Sequence, residues 1–242
     1  MRNQGKETMK KASIATLIIT LLVIPLTLYL GTLLPGRWYY FTATLIVIEL
    51  LIPFFLAFEG RKPQARELVV LAVMCAIATA SRVIVPIPNF KPIFAIIMLT
   101  GVAFGSEAGF LVGAVSAFAS DMFYMQGAYL PWQMMAYGIA GLLGGAVYRQ
   151  NLLPRIPWVM GVLGFFSCVL VTGPLLDLCT AVLMLPKFTL GGTVTMMLSG
   201  LPVNISQGSC TFLTMLFFAN PLLEKLDRIK LKYGMMEGEN GL

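Results

Sequence analysis

Residues 82–145 read RVIVPIPNFKPIFAIIMLTGVAFGSEAGFLVGAVSAFASDMFYMQGAYLPWQMMAYGIAGLLGG. Three apolar runs begin in this stretch: Pro92–Phe104, Glu107–Tyr124 and Pro131–Tyr148. A helix needs about 20 residues to cross a bilayer, so the last two are close to a full span and the first is short. The loops flanking them, Pro86–Lys91 and Met125–Leu130, carry Pro, Gly, Asn, Gln and Tyr, which is turn chemistry. Two charges, Arg82 and Asp121, fall within or beside apolar runs, where an unpaired charge is costly and calls for a partner or water.

The pattern continues on both sides. Ala12–Leu34, Trp38–Phe58 and Glu67–Val85 precede the stretch, and Pro157–Leu185 and Thr193–Ala219 follow it, giving eight predicted spans. The last two carry internal Gly and Pro: Gly173-Pro174, and Gly200 with Pro202. Proline removes a backbone donor, and the freed carbonyl must be satisfied by neighbours or a cavity. Composition agrees with this picture. Of 242 residues, 58% are apolar and 12% charged, with a mean hydropathy of +0.84. Soluble domains hold about 25% charged residues, so bilayer is the natural solvent for this surface. The fold class expected is an all-α integral membrane protein. The apolar run after the basic start Met1–Lys11 is too long for a signal-peptide core, and no small-x-small cleavage site follows it. It reads as a retained helix.

Charge placement sets the orientation. With the N-terminus inside, thirteen Lys and Arg fall in inside segments, and only Arg37, Lys91 and Lys187 fall outside. The positive-inside rule then puts both termini in the cytoplasm. The net charge of +6 is accounted for by topology and does not point to nucleic acid. The charged segment Phe58–Arg66 divides residues 1–60, with two spans, from a six-span core at 61–222. A cytoplasmic tail follows at 223–242.

Several patterns nominate function. Ala72, Ala76 and Ala80 recur every fourth residue, so they share one helix face and let another helix approach closely. Packing within the same subunit explains such a stripe equally well. Gly109, Gly113 and Ala117, and Gly138, Gly141, Gly144 and Gly145, form two further small faces, read as internal packing. Asn89, Lys91, Asp121, Tyr124, Gln126, Trp132, Gln133, Tyr137, Asp177, Asn204 and Gln207 gather toward the outside. An interfacial aromatic belt explains rings alone, whereas a binding pocket also explains the amides and acids. Arg82 and Asp121 could pair, as a ligand site or as a helix lock. Glu49 lies within the second span with no evident partner.

Other chemistries find little support. Cys75, Cys168, Cys179 and Cys210 lie in apolar spans without a CxxC pair, and there is no histidine. Neither a metal site nor the usual general base is indicated. No phosphate loop or hydrolase elbow is present, so ATP hydrolysis would come from a partner.

The Pro-Asn-x-x-Pro loop at Pro88–Pro92, the Gly-rich helix after it and the Pro-Trp-Gln-Met segment at Pro131–Met134 resemble S components of energy-coupling factor (ECF) transporters. The resemblance covers the six spans from Glu67 onward and leaves the first two helices additional. It implies a substrate-binding subunit in a prokaryotic plasma membrane, with no catalysis and no cofactor of its own. Its implied partners are a transmembrane scaffold subunit and two ABC ATPases. The Ala72, Ala76 and Ala80 face would meet the scaffold, and the loaded subunit would topple to turn its outer pocket inward. The Gln126-Gly127 and Pro-Trp-Gln-Met pattern is most similar to S components for cobalamin or related corrinoids. Riboflavin, a queuosine precursor or another aromatic vitamin is the alternative substrate. A polytopic membrane enzyme using Asp121 or Asp177 as an acid, and a helix-assembly scaffold, are the alternatives from other classes.

Overall fold

The computed structural model describes residues 64–124, 129–149, 152–185 and 189–233, with isolated positions between 23 and 52. Most of the first two predicted spans, the tail from 234 onward, Gln126 and Lys187 lie outside the described residues. Among the described residues from 64 onward, six helices follow one another: α1 (Ala65–Ile84), α2 (Ile93–Phe104), α3 (Ser106–Tyr124), α4 (Leu130–Arg149), α5 (Pro157–Met184) and α6 (Leu190–Tyr233). No strand occurs among the described residues. By length and composition, α1 and α5 are each able to cross a membrane.

The bundle is organised around α2. All twelve of its residues are buried. At about 1.5 Å per residue it is roughly 18 Å long, well short of the hydrocarbon thickness. The surrounding helices shield it. Gly105 ends it in the left-handed region at φ 96°, where its N–H bonds the Gly101 carbonyl at 2.8 Å. A Cβ is disfavoured in that conformation, so glycine permits α3 to start one residue later.

Glycines let α2, α3 and α4 touch backbone to backbone. A Cβ on Gly141 would stand 2.1 Å from the Gly109 carbonyl oxygen, and one on Gly101 would stand 2.1 Å from that of Gly141. The two glycine faces read from the sequence are therefore seams inside this subunit. The alanine stripe differs. On α1, Leu71, Met74 and Ala78 are buried, whereas Ala72 and Ala76 are exposed and Ala80 is half-buried. The stripe lies between exposed Leu68, Val69, Val73 and Ile77.

Proline shapes the last two helices in different ways. In α5, residues Cys168–Thr172 form a π-helical turn in which the Gly173 N–H reaches the Cys168 carbonyl. Pro174 has no N–H to continue the ordinary ladder, and the wider turn absorbs the defect. In α6, helix runs on through both Pro202 and Pro221 for 44 residues. The apolar span was expected to stop at Ala219. The helix continues because Leu223 and Leu226 keep the helical spacing and are buried. Lys230 anchors the extension, donating to the Ala103 carbonyl at 2.7 Å and pairing with Asp227 at 2.7 Å.

Candidate functional site

A cavity of about 550 Å³ opens where the C-terminal ends of α1 and α3 meet α2, α4, α5 and α6. Its wall is built from Arg82, from Pro86, Asn89 and Lys91 of the loop after α1, from Phe94, Tyr124, Gln133 and Tyr137, from Cys168, Thr172 and Leu176 of α5, and from Val203, Asn204 and Gln207 of α6.

Arg82 forms one side. Its Nη1 donates to Asp121 Oδ1 at 2.6 Å and also bonds Ser120. With the Gln133 amide turned so that nitrogen faces the carboxylate, Gln133 donates to Asp121 Oδ1 at 2.8 Å. Its oxygen accepts from Arg82 Nη2 at 3.2 Å. The guanidinium lies over the rings of Tyr124 and Tyr137, 5.0 and 5.5 Å from their centroids. Tyr124 donates its hydroxyl to the Arg82 carbonyl at 3.0 Å. Charge, planar donors and ring faces are thus all engaged, which lets an arginine sit largely buried at a helix end. Tyr137 meets Phe94 edge to face at 4.6 Å. Its backbone carbonyl lies where a Cβ on Gly113 would stand 2.2 Å away, so the glycine seam of α3 sets how deep Tyr137 sits.

The loop over the cavity is held at several points. Pro86 and Pro88 stiffen it, and Asn89 takes φ 56°, a left-handed conformation that Asn tolerates better than most residues. The Lys91 ammonium folds back to the Val85 carbonyl, and the Gln207 amide of α6 donates to the Lys91 carbonyl. On the far wall, Asn204 Nδ2 donates to Asp177 Oδ2 at 2.7 Å. A Cβ on Gly173 would collide with the Asn204 side chain at 2.4 Å, and one on Gly200 with Asp177 Oδ1 at 2.1 Å. The two glycines that looked like kink residues create room for this polar pair.

Among the residues singled out in the sequence, Asn89, Lys91, Tyr124, Gln133, Tyr137, Asn204 and Gln207 share the cavity wall. Asp121 stands behind the wall, 5% exposed and bound to Arg82. Asp177 stands behind Asn204. Trp132 is not on the wall: it is buried with Phe110, Met135, Cys179 and Val182. The reason is helical geometry, since consecutive residues on α4 point about 100° apart, and Gln133 with Tyr137 takes the cavity face. Sequence reasoning did not assign Phe94, Cys168, Thr172, Leu176 or Val203 to the wall. Only Thr172 had a signal, its place beside Gly173-Pro174; the other four resemble ordinary apolar membrane residues.

Beyond the cavity, Glu49 accepts a hydrogen bond from Thr27 at 2.8 Å. The four cysteines are free, and the described residues contain no group of His, Cys, Asp or Glu that could hold a metal ion.

Residues 62–224, well over half of the chain, match the family described as ECF-type riboflavin transporter, S component. No curated protein and no solved structure matches the chain.

Proposed function

Because the chain belongs to the S components of ECF-type transporters, which are membrane-embedded transport subunits and not enzymes, we propose that it captures a flavin-sized aromatic vitamin in the cavity beside Arg82. The observation that carries this reading is the wall itself. Phe94, Tyr124 and Tyr137 line it with aromatic rings, and Asn89, Gln133, Asn204 and Gln207 line it with amides. Apolar walls with a few placed polar groups bind flat heterocycles by stacking and orient them by hydrogen bonds.

Riboflavin comes first among substrates. The family description names it, and a cavity of about 550 Å³ lies within the range of sites for drug-sized molecules. Cobalamin is the second reading, favoured by the Pro131-Trp132-Gln133-Met134 pattern. A corrinoid is far larger than a flavin and would require the loop Val85–Lys91 to move away. Without any histidine, the chain would have to hold it by shape and hydrogen bonds.

Capture would need no chemistry from the chain. Of the two acid candidates for an enzyme, Asp121 is bound to Arg82 and Asp177 accepts a hydrogen bond from Asn204. The energy would come from two ATPases through a scaffold subunit. The exposed Ala72 and Ala76 with Ala80 provide a face on which a scaffold helix could approach closely. Toppling of the loaded subunit in a prokaryotic plasma membrane, with both termini in the cytoplasm, would then carry the vitamin inward.

Calorimetric titration of the purified chain in detergent with riboflavin and with cobalamin tests the substrate. Saturable, one-to-one riboflavin binding is expected. Cobalamin binding alone would replace riboflavin with the corrinoid reading. Binding of neither would remove both.

A further inference from the structure

Two cations reach the cavity wall, Arg82 and Lys91, and they differ in one respect. The charge of Arg82 is cancelled by Asp121 at 2.6 Å, and both its terminal nitrogens already donate. Lys91 pairs with no carboxylate among the described residues. Its ammonium contacts the neutral Val85 carbonyl, which occupies one of its three donors. No Asp or Glu lies among the cavity-lining residues described. Of the acids behind the wall, Asp121 is paired with Arg82, and Asp177 accepts at one oxygen from Asn204 and rests the other against Gly200.

Lys91 is half-buried at the edge of an apolar bundle, where a charge gains from a counter-charge. Its surroundings hold it in place. Gln207 fixes the Lys91 backbone from α6. The helix α2 begins two residues later, and no side chain caps its first turn. The positive end of that helix adds to the field at the same place.

Resting on the reading of this chain as a vitamin-capturing subunit, we infer that the cavity prefers the acidic form of its vitamin, one bearing a carboxylate or a phosphate (among flavins, riboflavin 5′-phosphate over riboflavin), and that Lys91 receives the acid. The rings of Phe94, Tyr124 and Tyr137 take the flat body, and Lys91 at the α1–α2 loop takes the acid. Lys91 is then the specificity-determining residue of the cavity. Arg82 shapes the wall and does not contact the acid.

The test is calorimetry on the full chain in detergent with matched pairs: riboflavin 5′-phosphate and riboflavin, pyridoxine 5′-phosphate and pyridoxine, nicotinate and nicotinamide, folic acid and its dimethyl ester. In at least one pair the acid should bind about tenfold more tightly than its neutral partner, the scale of a charge-assisted hydrogen bond. Lys91→Met should bring that pair within about twofold by weakening the acid more than its neutral partner, and Lys91→Arg should keep most of the preference. Thermal unfolding of Lys91→Met in detergent at the midpoint of the unaltered chain shows that the variant is folded. The phosphate and carboxylate arms tell the two acids apart. Neutral partners that bind as tightly as their acids, or an acid preference that survives Lys91→Met, would overturn the inference and leave vitamin capture standing. Absence of binding by every pair would overturn vitamin capture and the inference with it.

Discussion

Arg82 at the end of α1 and Asp121 near the end of α3 stand 2.6 Å apart, and both are largely buried, with side chains 13% and 7% exposed. Removing one partner strands the other charge in a poorly solvated place. Asp121→Leu should therefore cost about 3–5 kcal/mol, and Arg82→Met a comparable amount. The double variant Arg82→Met with Asp121→Leu should recover much of that loss, because two apolar groups replace the pair. Thermal unfolding of the four proteins in detergent checks this. A loss in the double variant equal to the sum of the two single losses would show that the pair does not act as a unit.

The glycine seam gives a second prediction. Gly141→Ala places a methyl group where the Gly109 carbonyl already sits, and both atoms belong to helix backbones that cannot yield separately. It should destabilise the chain by at least about 1–3 kcal/mol, the usual cost of overpacking, and displace Tyr137 one turn away. Gly191→Ala meets nothing within 4 Å and should leave stability unchanged or raise it by up to about 1 kcal/mol. Chemical denaturation of both variants separates a seam from a mere excess of glycine.

The alanine stripe gives a third. Ala76 is exposed on α1 and does not touch the cavity. Ala76→Leu should leave riboflavin affinity of the isolated chain within about twofold, while co-purification with a scaffold subunit and two ATPases falls sharply. Lost ligand binding with normal assembly would put the partner face elsewhere.

How much of this was visible in the sequence depends on what constrained each residue. The helices were legible because a bilayer demands long apolar runs and leaves irregular chain only at their ends. The extension of α6 beyond Ala219 was not, because hydropathy falls there while the helical spacing of Leu223 and Leu226 persists. Asn204 and Gln207 stood out as polar residues in apolar surroundings, and both reach the cavity wall. Trp132 stood out as an aromatic residue beside Gln133 toward the outside and lies in an internal cluster instead. An aromatic residue beside a glutamine carries no sign of which helix face it occupies until the helix register is fixed. Phe94, Leu176 and Val203 gave no signal, since an apolar side chain facing a ligand and one facing lipid look alike in sequence.

The most direct test of the central claim is a riboflavin titration of the unaltered chain beside Tyr137→Leu and Trp132→Phe. Tyr137 lies on the cavity wall and Trp132 does not. Saturable binding by the unaltered chain and by Trp132→Phe, with affinity reduced about tenfold or more in Tyr137→Leu, is the predicted result. No binding by the unaltered chain, or equal losses in both variants, would contradict capture of a flavin-sized vitamin in this cavity.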